Sequence, residues 1–129
     1  MRMKLTKSEM EIMEVLWNAG PLSRTGILEH SQGRSWKESS IHILLNGMLK
    51  KGAIEIAGFE KMGSHYGRTY AAALTEPEYA ARQVQVMVDG QKHKEDAVKT
   101  IICALLKDDD LSNDTLQEIE KVLQDMRDQ

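Results

Sequence analysis

Between Lys37 and Lys51 the sequence gathers short side chains that donate and accept hydrogen bonds, with no nucleophile among them set beside a base. Ser39, Ser40, His42 and Asn46 are of the types that pair with the edges of nucleic-acid bases. Ile43 among them offers an apolar contact for a thymine methyl. Lys37, Lys50 and Lys51 flank the set at positions suited to phosphates. Downstream, Lys61, His65 and Arg68 make a second basic group within reach of a backbone or a minor groove. No Arg stands among the base-facing residues, so each contact is expected to contribute only ~1–2 kcal/mol of discrimination. Much of the affinity then falls to the flanking lysines and to pairing of two chains.

Enzyme chemistry finds little support. His30, His42, His65 and His93 are scattered without metal-ligand spacing, and no G-x-x-x-x-G-K-[ST] phosphate loop occurs. The carboxylates read as helix caps or solvated faces, and Asp108, Asp109 and Asp110 read as an acidic helix-breaking turn. No enzyme, cofactor or metal is expected. The single cysteine, Cys103, cannot staple the chain to itself and suits a reducing cytoplasm. Between Ile102 and Ala104 it reads as a buried structural thiol. The start, Met1-Arg2-Met3-Lys4-Leu5, lacks an apolar leader core, and no run of 18 apolar residues predicts membrane insertion.

The elements that must position these residues are mostly helical. Thr6 and Glu9 have capping-box spacing ahead of Met10, Ile12, Met13, Leu16 and Trp17, and Gly20-Pro21 stops that first helix. Ser23 caps a short second helix running to about His30, with Ile27 and Leu28 apolar. Ile41, Leu44, Leu45, Met48 and Leu49 then form a stripe about 100° wide on a third helix, which Gly52 ends. Trp36 is expected to anchor its start. If the stripe faces the core, Ser39, Ser40, His42, Ile43 and Asn46 face outward. The period then changes to two. Ile54-Glu55-Ile56 predicts one strand and Tyr70, Ala72 and Leu74 another. A glycine-rich loop holding Gly58, Gly63 and Gly67 is expected between them. Three helices and a β-hairpin within 75 residues have the order of a winged helix-turn-helix: mainly α, with a small β-hairpin wing.

From Thr75 the pattern is helical again, with Thr75 and Glu78 repeating the capping-box spacing. Val98, Ile101, Ile102, Leu105 and Leu106 make one apolar stripe. Leu116, Ile119, Leu123 and Met126 make a narrower seam of the kind that pairs helices, on a last helix capped by Ser112. Residues 1–75 carry 10 Lys/Arg and 7 Asp/Glu, a net of +3, whereas residues 76–129 carry 7 and 13, a net of −6. The predicted division is therefore a DNA-binding domain over 1–75 and a helical dimerisation domain over 76–129. A homodimer would present two third helices to two half-sites of double-stranded DNA. The alternative is a winged helix that binds another protein through the same face, without specific DNA binding.

The residues also resemble a known family, the repressors of penicillinase and methicillin-resistance genes. The resemblance covers nearly the whole chain. It rests on Thr6 to Trp17, with Glu9 and Trp17 at the family's positions, on Trp36, Ile41, Leu44 and Leu49-Lys50-Lys51-Gly52, on Gly67-Arg68-Thr69-Tyr70, and on Asp110-Leu111-Ser112 with Leu116-Gln117-Glu118-Ile119. It implies a winged helix with dimerising helices, a palindromic operator as partner, and transcriptional repression in the cytoplasm. In the resistance branch a membrane-bound sensor detects the antibiotic and the repressor is cut in its tail. The resemblance thus implies a sensor protease as a partner. The family's base-contacting positions fall on Ser39, Ser40, His42 and Ile43, where the resistance repressors carry Lys, Thr, Arg and Thr, so a different operator is expected. A further Arg of that helix is Gly47 here. The cleaved Asn-Phe pair is replaced by Ala104-Leu105, and the paired Cys-x-Cys motifs of the copper-responsive branch are absent.

Overall fold

In the computed structural model, which describes residues 3–129, helix α1 (Lys7–Ala19) begins at the Thr6–Glu9 capping box. Met1 and Arg2, part of the stretch read for a leader, lie outside the described residues. The Thr6 hydroxyl accepts the Glu9 N–H at 3.2 Å, and the Glu9 carboxylate accepts the Thr6 N–H at 2.8 Å. Gly20 ends the helix at φ 79°, a backbone state that a side chain disfavours, and its N–H donates to the Leu16 carbonyl at 3.0 Å. A two-residue strand, β1 (Leu22–Ser23), follows, and the Ser23 hydroxyl caps α2 (Arg24–Glu29) by accepting the Gly26 N–H. A single 3-10 turn (Glu38–Ser40) leads into α3 (Ile41–Lys51), closed by Gly52 in the left-handed region at φ 78°.

The first three helices bury one face each. Ile12, Met13 and Leu16 of α1, Ile27 of α2, and Ile41, Leu45 and Met48 of α3 are buried together with Ala53, Ile54 and Leu74. Leu44 and Leu49 pack against this core from its edge. Each fully buried aliphatic side chain contributes roughly 1.5–3 kcal/mol, so rotating α3 by half a turn would be prohibitive. That fixes which of its side chains meet solvent.

The wing is longer and more regular than a loop-linked hairpin. Strand β2 (Ile54–Met62) pairs antiparallel with β3 (His65–Ala72), and β3 pairs on its other side with β1, giving the order β1-β3-β2. Gly58, Lys61, His65, Gly67 and Arg68, expected in a loop, lie in these strands, and only Gly63 and Ser64 form the turn. The glycines were misleading because two of the three occupy paired strand positions. An extra residue at Ala57 makes a bulge between the Ile56–Tyr70 and Gly58–Thr69 pairs. β1 was missed because two residues give no alternation to read. Leu74, expected on the second strand, lies just past its end but is buried as its pattern required.

The chain forms two compact units, one ending at Val86 and one spanning Met87–Gln129. Helix α4 (Glu76–Asp89) starts at a second capping box, with Thr75 and Glu78 exchanging bonds of 2.9 and 3.2 Å. Beyond it come α5 (Lys94–Asp108) and α6 (Asn113–Arg127), the latter capped by the Ser112 hydroxyl accepting the Thr115 N–H. Neither α5 nor α6 buries a residue among those described. Cys103 is exposed, contrary to its apolar flanks. The apolar stripe beside it, with Ile102 and Leu105, is exposed too, because α5 buries no residue against the described chain.

Candidate nucleic-acid interface

The segment leading into α3 is held from three sides. Glu11 on α1 accepts both the N–H of Ser35 at 2.9 Å and its hydroxyl at 2.5 Å. Those two bonds, the hydroxyl's first, hold the Glu11 carboxyl below the usual range. Trp36 is buried beside them, with the Arg34 guanidinium 5.2 Å from its ring centroid. Arg34 also donates to the Ser31 carbonyl at 3.2 Å. Lys37 then turns outward in extended backbone, and the 3-10 turn carries Ser39 exposed and Ser40 half-buried. These two serines thus precede α3 instead of riding on it.

On α3 itself His42, Ile43, Asn46 and Lys50 are exposed, opposite the buried Ile41, Leu45 and Met48. Ile43 is 76% exposed, an unusual state for an isoleucine in a helix that has a core to join. The side chain expected to contact a thymine methyl is therefore free to do so.

Lys51 has a different placement. Its ammonium lies 2.5 Å from the buried carboxylate of Glu9, so this lysine ties α3 to the first turn of α1, whereas Lys50 stands exposed. Burial alone would raise the Glu9 carboxyl. The Lys51 hydrogen bond, the Thr6 N–H and the Lys51 charge outweigh that and leave it lowered. A Cβ at Gly47 would stand 3.3 Å from Glu9 Oε2, so a side chain there asks the carboxylate to give by a few tenths of an ångström.

On the wing, register decides which side chains share a face. Phe59 pairs with Arg68 and Lys61 with Tyr66, so these four lie on one side, while Met62 and His65 lie on the other. Phe59 and Tyr66 are each 69% exposed. Lys61, His65 and Arg68 are exposed as well, so Lys61 and Arg68 are interleaved with two aromatics on one face while His65 stands on the other. Phe59 and Tyr66 escaped the sequence reading because the region looked like loop. Arg24, at the start of α2, escaped it too. Its guanidinium lies 2.7 Å from His42 Nε2. A guanidinium only donates, so this ring nitrogen accepts and the ring proton sits on Nδ1.

In the second unit the expected dimerisation residues stand on the open faces of α5 and α6. Val98, Ile102, Leu105, Leu106, Leu116, Leu123 and Met126 are exposed, Ile101 and Ile119 half-buried. Val122, absent from the expected seam, is 59% exposed. The Ala104–Leu105 bond lies inside α5, helical on both sides. Among the described residues no group of His, Cys, Asp or Glu is placed to hold a metal ion, and no helix is long and apolar enough to cross a membrane.

The sequence model of the family described as Penicillinase repressor matches residues 5–125. The chain belongs to the penicillinase repressor family. Members of this family are transcriptional regulators, not enzymes. A curated relative, an uncharacterized 16.5 kDa protein in the ptsI 3′ region of Latilactobacillus sakei, is 28% identical over 87 residues. The aligned stretch covers 67% of this chain and 56% of that protein, so the chain spans little more than half the relative's length. The family match takes in both units, the winged helix with its exposed α3 and the open-faced helices α5 and α6.

Proposed function

We propose that this chain is a dimeric, sequence-specific DNA-binding repressor that occupies a palindromic operator in the cytoplasm. The observation that carries the reading is the outward face of α3, where His42, Ile43 and Asn46 stand exposed opposite a buried apolar stripe. With Ser39 and Ser40 they read base edges in the major groove. Lys37, Lys50, Lys61, His65 and Arg68 hold the flanking backbone. Residues 1–75 supply the DNA-binding domain and residues 76–129 pair two copies through the stripes of α5 and α6. The open apolar faces of those helices support the pairing, because two copies can cover what one leaves wet.

Fluorescence anisotropy of the full chain with DNA from upstream of its own gene, against random duplex at two salt concentrations, tests the reading. Tight, salt-sensitive and sequence-selective binding is expected. DNA affinity that is weak, unselective and insensitive to salt would instead point to a protein partner for the same face.

A further inference from the structure

A cavity of about 170 Å³ opens between α2, α3 and the wing, lined by Arg24, His42, His65, Arg68 and Tyr70 among others. None of the lining residues is an Asp or Glu. Residues bearing two guanidinium groups and two imidazoles thus border one concave place, and no acidic residue is part of its lining. Such a place concentrates positive potential and favours an oxyanion. Arg24 spends one of its five N–H donors on His42, which leaves the others for a ligand. The bond also joins a side chain on the base-reading face to one that belongs to the cavity.

We propose that this cavity is a phosphate-binding site, in which Arg24, bonded to His42, holds a phosphoryl group, with Arg68 and His65 on the wing side of the opening. The source assigned here is a phosphate of the DNA backbone, and that assignment rests on the DNA-binding reading; the cavity's affinity for phosphate does not. Bound this way, the phosphate fixes Arg24, and Arg24 in turn fixes the orientation and tautomer of His42 above the base edge. Arg24 is thus a positioning residue for readout as well as a backbone anchor.

The test uses the full chain and Arg24→Gln, with Arg68→Gln as a second variant. Arg24 is exposed, and the Ser23 cap of its helix does not involve its side chain, so the variant keeps its fold. The first arm measures affinity for a random-sequence duplex between 50 and 200 mM salt. Losing one phosphate contact should flatten the log–log slope by about 0.9, so that wild type loses roughly 3.5-fold more affinity than the variant across that range. The second arm titrates inorganic phosphate, with chloride at matched ionic strength, while following the ring signals of His42 and His65 by NMR. A flattened slope with only weak phosphate shifts supports the backbone as source. Saturable phosphate shifts, lost in Arg24→Gln, with an unchanged slope support a free phosphate as the ligand. An unchanged slope together with silent histidines overturns the site. If wild type binds no DNA at all, the repressor reading fails, and the second arm alone decides the cavity.

Discussion

Asn46 and His42 stand where readout is expected, and Lys50 where only charge counts, so their variants should behave differently. Asn46→Ala and His42→Ala should cut discrimination between operator and random duplex by about 1–2 kcal/mol each. Lys50→Ala should weaken both DNAs about equally and flatten the salt dependence by about one contact. Anisotropy titrations on both DNAs separate the two behaviours. Lys51→Ala belongs to another class, since its ammonium serves Glu9. Its loss leaves a buried carboxylate short of a donor and should cost about 1–3 kcal/mol in urea denaturation, before any effect on DNA is considered. Acid should act on the same groups. Glu9, Glu11 and Glu78 all have lowered values in the folded chain. Their contribution is complete above the unfolded carboxyl value of about 4.3 and is lost as pH falls through the lower folded values. Stability measured against pH should therefore be level near neutrality and decline below about pH 4.3. The roles of His42, Ile43 and Asn46 as exposed α3 residues were legible from helical spacing alone. The engagement of Lys51 was not, because Glu9 lies 42 residues away and no local pattern joins them.

Elements show the same division between local and distant information. Both capping boxes and the glycine stops of α1 and α3 could be read because their signals lie within a few residues of one another. The wing could not be read in full. Its strands extend to a turn at Gly63-Ser64 through pairing across the ribbon, which overrides the glycines at 58 and 67. The seam of α6 tests the pairing of two copies. Leu123 is 51% exposed in the single chain, so Leu123→Asp should leave helix content unchanged. In the dimer it would bury a charge, and sedimentation should show a shift to monomer at micromolar concentration. Operator affinity should then fall steeply, since one copy reaches only one half-site. A variant that remains dimeric would move the interface off α6.

At the scale of the whole molecule, the winged unit draws on more chain than its helices and wing alone. Trp17 donates to the Leu74 carbonyl at 2.9 Å and lies 6.0 Å from the ring of Tyr79, and Gln83 donates to the Met3 carbonyl. Cutting after Val86 should leave a folded monomer with poor operator affinity. Cutting after Thr75 should also fold but lose the Trp17–Tyr79 contact, about 0.5–1.5 kcal/mol, read as a lower urea midpoint. The charge division of +3 and −6 about residue 75 was visible from composition and accords with only one end approaching a polyanion. The two tryptophans bring a practical consequence. Trp17 and Trp36 are the chain's only indoles, and both sit in the winged unit, with none on α5 or α6. Their fluorescence reports the winged unit alone, whereas far-ultraviolet circular dichroism sums every helix. Overlaid, the two melting curves will coincide if the molecule unfolds in one step and separate if the tail lets go first.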